Sequence, residues 1–161
     1  MKKDKKEKKE NPVITTNREA HRDYFVLESL EVGVVLVGCE VKSLREGQVS
    51  LAGSFARLDG DDVILYNAYI APYKMGNREN PDSKRERKLL LHRSQINKLK
   101  VKTTERGLTL VPLKMYFNDR GIAKIDLGVV KGKNHFDRRA DIKKDSTRRE
   151  IDRAIKNRNR S

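Results

Sequence analysis

The sequence predicts a mainly β fold: a small antiparallel barrel, closed or partly closed, with two or three flanking helices and a basic C-terminal tail. Three observations predict it. Apolar residues fall in short β-branched or alternating runs separated by Gly, Asn and Asp, the pattern of strands joined by turns. Helical spacing is confined to two short stretches before the tail. A chain of 161 residues is long enough for one domain with a real core and too short for two.

The elements follow in order. Residues 1–12 form a charged arm, expected to be disordered. "YFVLESLEVGVVLV", Tyr24 to Val37, reads as one long strand, with Gly33 expected to allow a bend or bulge. "GCEVKSLREG" spaces Val41 and Leu44 three apart between two glycines, which predicts a short helix ended by Gly47. "FARL" and "VILYNAYI" are strand-like around the turn "DGDD". "APYKMGNRENPDSKRERK" has no apolar period and predicts an unusually long loop. "LLLHRSQINKLKVKT" contains a helix start, with Ser94 as the expected cap and Ile96 and Leu99 as the buried stripe. "GLTLVPLKMYFND" and "GIAKIDLGVV" make two strands joined at "NDRG". In the second, Ala123, Ile125 and Leu127 are expected to point inward. Pro112 predicts an edge or a bulge in the first. Five or six strands with a basic exterior fit an oligonucleotide-binding (OB-type) barrel over residues 13–130. A two-layer sheet with helices on one face is the alternative.

Charge bounds the partners. The net charge is +14 at a pI near 10.0, which favours a polyanion and nucleic acid above all. Residues 1–10 carry +3, residues 131–161 carry +7, and the 120 residues between them only +4. A nearly balanced body with basic ends suits a nucleic-acid binder better than an enzyme with a basic cleft. The single cysteine, Cys39, excludes an internal disulfide framework and suggests a reducing, cytoplasmic compartment. No apolar run reaches spanning length, and the tail has too few apolar residues to lie on a membrane.

Catalytic chemistry finds little support. His21, His92 and His135 fall in separate segments without metal-ligand spacing, and Cys39 reads as a small buried hydrophobe. Glu28 and Glu31 sit three apart in a strand, on opposite faces, and so make no acid–base pair. No phosphate-cradling glycine loop or nucleophile elbow occurs. The expectation is a protein that binds, is not an enzyme, and needs no metal or cofactor. The informative clusters are basic: Lys42 with Arg45, then Lys84, Arg85, Arg87 and Lys88, then Lys131, Lys133, Arg138 and Arg139. Tyr69, Tyr73, His135 and Phe136 lie near them in sequence. Arginine forks grip phosphates and rings stack on unpaired bases.

Five blocks, "NREAHRDY", "VGCEVKSLREG", "ERKLLLHRSQINKL", "GLTLVPLKMYF" and "GVVKGKNHFDRR", resemble in order and spacing the signature blocks of the SmpB family, the SsrA-binding proteins. The resemblance runs from about Ile14 to the C-terminus. It implies an OB-type barrel and binding to the tRNA-like end of transfer-messenger RNA (tmRNA, or SsrA RNA). The barrel would stand in for the missing anticodon side of a tRNA. It implies no catalysis. It further implies a tail, residues 131–161, that is disordered when free. On a stalled 70S ribosome that tail enters the vacant mRNA channel, becomes helical and contacts the small-subunit rRNA at the decoding centre, so that trans-translation follows. A monomer is expected.

Carried onto this chain, the resemblance implies an RNA-binding surface at Asn17, Arg18, Glu31, Lys42, Arg45, Arg87, Lys88, Leu91, Gly132 and Lys133. It implies a decoding-centre role for Phe136, Asp137, Arg138 and Arg139. Arg138 stands where the family commonly has lysine, which keeps the charge and changes the hydrogen-bond geometry. Phe136 replaces a histidine or tyrosine, which keeps a ring face and loses a hydrogen bond. Further along, "TRRE" from Thr147 reads as a capping box opening a helix of about twelve residues. Ile151 and Ile155 share one face of it, and Arg149 and Arg153 line another. Such a helix is marginal in water, so a polyanionic channel would order it. Another OB-type translation protein and an RNA-processing enzyme are the competing readings.

Overall fold

The structure, a computed structural model, describes residues 12–76 and 80–158. The described residues form nine strands and four helices. In chain order these are β1 (Val13–Thr16), α1 (Arg18–Asp23), β2 (Tyr24–Val34), α2 (Gly38–Arg45), β3 (Val49–Ser50), β4 (Phe55–Asp59) and β5 (Asp62–Tyr66). Then follow β6 (Tyr69–Ile70), β7 (Arg87–Leu90), α3 (Arg93–Glu105), β8 (Thr109–Phe117), β9 (Ala123–Gly132) and α4 (His135–Arg158). The expected arm at 1–12 lies outside the described residues except for Pro12.

The pairing closes on itself. β8 pairs β4, then β5, β7, β2 and β9 follow, and β9 pairs β8 again, every ladder antiparallel. That ring is the expected OB-like barrel, not the two-layer alternative. Its weakest seam is β4–β8, held by Ala56 opposite Leu110. β1 continues along the same edge of β8, and β3 with β6 forms a separate two-stranded ladder.

Alternation makes the interior. Val32, Val63, Leu65, Leu89, Met115, Ile125 and Leu127 are buried within one cluster that also takes in Leu44 of α2 and Ile96 and Leu99 of α3. Ala123, Ile125 and Leu127 face inward as their pattern predicts. A second, smaller cluster forms where α1 lays Ala20 against Val111, Leu113 and Val130.

Several local expectations shift. β2 bulges at Leu27, not at Gly33, because Val26 opposes Val130 while Glu28 opposes Val129. Gly33 instead lets β7 approach: a Cβ there would sit 3.2 Å from Leu90 Cβ. β8 does bulge beside Pro112, at Leu113. α3 is capped at His92, not Ser94, where Gln95 reaches back to the His92 N–H at 3.0 Å. "LLL" is mostly strand β7, and the helix α1 in "NREAHRD" was not foreseen. α4 starts at His135, with Asn134 Oδ1 accepting from the Asp137 N–H at 2.9 Å. Thr147 is therefore mid-helix, its hydroxyl donating to the Lys143 carbonyl, and "TRRE" caps nothing. Once Asn134 supplies a cap upstream, the helix runs through the later signal.

Candidate nucleic-acid interface

α2 and the long loop at residues 71–86 make the first surface. α2 begins where Glu40 Oε2 accepts from the Val37 N–H at 3.0 Å, and ends toward Gly47 at φ +71°. Lys42 and Arg45 project from it into solvent. Lys42 Nζ lies 5.3 Å from the centre of the Tyr73 ring, so helix and loop present a cation and a ring together. The described residues of the loop, 71–76 and 80–86, are held by hydrogen bonds. Asn80 exchanges two hydrogen bonds of 3.0 Å with the Tyr73 backbone, and Ile70 N–H donates to the Ser83 carbonyl at 2.9 Å.

The loop's closing basic cluster divides inward and outward. Arg87 does not lie on the surface, where the resemblance would have it bind RNA: its side chain is 0% exposed. β7 buries alternate residues, and Arg87 shares its inward side with Leu89. Its guanidinium donates to the carbonyls of Ala68 (2.6 Å), Arg85 (3.1 Å) and Ser83 (3.1 Å), and to Glu40 Oε1 at 2.9 Å. Arg85 grips the same carboxylate through Nε at 2.8 Å and Nη2 at 2.7 Å. Burial pushes the Glu40 carboxyl up, but hydrogen bonds from Arg85 and Val37 and the Arg87 charge bring it below its ordinary value. Burial lowers the Arg87 guanidinium, with Glu40 opposing. Lys88 faces out, 2.8 Å from Asp62.

A second surface is the outer face of β2, β9 and β8. Glu31 is exposed there and accepts from the Tyr116 hydroxyl. Burial, then the Glu31 carboxylate, raises the Tyr116 pKa, so the phenol remains a donor. Lys114 stands 3.9 Å from Asp126, and Lys124 is opposite Tyr116 in the ladder. Lys114 and Lys124 were not singled out from the sequence. The alternation that turns Ala123 and Ile125 inward already turns Lys124 outward, so the signal was present. Of the other named residues, Arg18 is exposed. Asn17 is buried and caps α1, accepting from the Ala20 N–H and donating to the Pro112 carbonyl at 3.0 Å. Leu91 is half-buried against the core. Asn17 and Leu91 thus serve the scaffold beneath the surface.

The third group is the tail and its root. Gly132 ends β9 opposite Tyr24. The Lys133 side chain is only 8% exposed: the residue's N–H donates to the Asp23 carbonyl at 2.9 Å, and its ammonium meets Asp141 and lies 4.9 Å from the Phe25 ring centre. Lys133 therefore anchors the tail more than it faces outward. Arg138 Nε approaches Asp23 at 3.8 Å. Beyond this root α4 buries no residue. Phe136, Ile151 and Ile155 are exposed, as are Arg139, Arg149 and Arg153, while Asp137 and Arg138 are half-exposed. At 3.6 residues per turn, Ile151 and Ile155 share a side with Ala140 and Thr147, and Arg149 and Arg153 take the opposite side.

Cys39 is a free, half-buried thiol. A cleft of about 690 Å³ lies between α1, β4 and the end of α3. Its acids already have partners: Glu19 accepts from the N–H of Gly53 across the cleft wall, and Asp23 binds Arg22.

Comparison with known proteins gives a consistent picture. A family model described as SmpB protein matches residues 14–157. An SsrA-binding protein of Geobacillus kaustophilus is 52% identical over 151 residues, covering 94% of this chain and 97% of its own length. One from Moorella thermoacetica is 49% identical over 146 residues, covering 91% and 94%. A solved chain described as "tmRNA-SmpB: a journey to the center of the bacterial ribosome" matches with a TM-score of 0.65 at 52% identity. The match spans 77% of this chain and 86% of that one.

Proposed function

The chain belongs to the SmpB family, and from that premise we propose that it is an RNA-binding adaptor. It binds the tRNA-like domain of tmRNA and brings it to stalled ribosomes for trans-translation in the cytoplasm. The observation that carries this reading is the paired surface of Lys42 on α2 and Tyr73 on an organised loop, beside a closed barrel. Cation and ring in one place suit RNA, whose phosphates take the charge and whose unpaired bases take the ring. The protein acts by binding, without catalysis of its own and as a monomer.

The tail does the second half of the work in this reading. α4 buries nothing, so only its own hydrogen bonds and its root hold it. The sequence leads one to expect a tail that is disordered when free, whereas here it is a 24-residue helix; the small-subunit rRNA along the vacant mRNA channel would then hold a helix that the body leaves unsupported. Arg138, Arg139, Arg149 and Arg153 take phosphates, while Phe136 offers a ring face near the decoding centre.

A gel shift with the tRNA-like half of tmRNA, against bulk tRNA and ribosomal RNA fragments, tests the first half. The chain is expected to prefer the tmRNA fragment strongly, and Lys42→Ala with Arg45→Ala to weaken binding with the melting temperature unchanged. Equal affinity for all three RNAs would overturn the reading.

A further inference from the structure

The buried charge cluster at the base of the loop holds two arginines against one carboxylate. Glu40 is 3% exposed and is gripped from both sides. The two arginines are not equivalent. Arg87 is 0% exposed and gives its remaining N–H groups to carbonyls at Ala68, Arg85 and Ser83, so it has no route out. The Arg85 side chain is 27% exposed, and among the described residues its guanidinium beyond Glu40 reaches only the carbonyls of Glu86 at 3.2 Å and Val35 at 3.4 Å.

Charge count then decides what each can do. Removing the partner of a buried charge strands that charge at severe cost. If Arg87 left, its own charge would have to find solvent through a packed barrel. If Arg85 left, Glu40 would keep Arg87 and the Val37 N–H, and the pair would be neutral. With Arg85 in place Glu40 faces two guanidinium groups, and the exposed Asp82 nearby supplies a second negative charge to the cluster. An incoming phosphate offers Arg85 a second bidentate acceptor in place of Glu40.

We propose that Arg85 is an exchangeable phosphate ligand: free, it is stored on Glu40, and on RNA binding it turns to a backbone phosphate while Arg87 keeps Glu40 neutral. Nothing in the sequence separates Arg85 from its neighbours in "KRERK", because the distinction depends on burial. The inference rests on the RNA-binding reading above and deepens it. Lys84 is exposed beside Arg85, so the released guanidinium joins a cation already at the surface.

The test is the salt dependence of binding to the tRNA-like half of tmRNA, measured for the full chain and for Arg85→Ala and Arg85→Lys. One lost phosphate contact lowers the slope of log K against log salt by about 0.7–1. Arg85→Ala is expected to show that fall and about a tenfold weaker affinity at ~0.1 M salt. Its melting temperature stays well above that of Arg87→Met. Arg85→Lys, which keeps the charge, restores most of the slope. An unchanged slope in Arg85→Ala would overturn the proposal, as would a melting temperature as low as that of Arg87→Met. If the unaltered chain shows no preference for this RNA, the reading of function fails instead, so the two failures are distinguishable.

Discussion

Among the individual residues, Arg87 shows how far a side chain's type can mislead about its place. An arginine in a basic run invites a surface role, yet this one is sealed inside and holds three carbonyls and one carboxylate. Arg87→Met leaves those acceptors without a donor and should cost about 3–5 kcal/mol, read by urea unfolding. Acid weakens the same cluster. Glu40 titrates below its ordinary value of 4.5 in the fold, so its stabilisation is complete above that pH and fades as pH falls through the lower folded value. In urea melts at descending pH, the advantage of the native chain over Glu40→Gln should therefore shrink only in the acid limb, below about pH 4.5. A constant gap down to pH 2 would contradict the pairing.

Elements differ in what holds them. α2 and the 71–86 loop are fixed by buried charge, by Asn80 and by the Lys42–Tyr73 contact, which makes a stable platform from a segment with no apolar period. α4 is the opposite case. Lys133, Asp141 and Asp23 secure its root, and the rest buries nothing. Ile151→Asp with Ile155→Asp should therefore leave the barrel's melting temperature unchanged while impairing tagging on stalled ribosomes. Normal tagging by that double variant would remove the case for an ordered helical tail. The misread cap at Thr147 has an element-scale cause. A capping box is a local signal, and a helix already nucleated at Asn134 has no reason to stop there.

At the scale of the whole molecule, the closed barrel separates two tasks. The loop and α2 belong to the body, whereas α4 touches it at its root, through Arg138 and Asp141, and buries none of its described residues. A chain ended after Asn134 keeps the Lys133 bond to Asp23 and should bind the tmRNA fragment nearly as well as the full chain, while tagging is abolished. Loss of both activities together, or of neither, in paired binding and tagging assays would contradict this division.

Much of the fold was legible because it rests on local alternation. The strands after residue 107, the α2 helix closed by Gly47 and the bulge by Pro112 all follow from patterns a few residues long. The basic ends and the five family blocks pointed to RNA by the same kind of local reading. The sequence by itself thus determined the strand-rich class, the inward residues of β9, the polyanion partner and the family. Only the tertiary structure decided which basic residues are available. Arg85, Arg87 and Lys88 are near neighbours in the chain, yet one is half-buried, one sealed and one exposed. Their difference is set by Glu40, forty-five or more residues away in sequence, and by how the ring of strands brings α2 against the loop. Burial and ion pairing are long-range properties, and no local pattern encodes them.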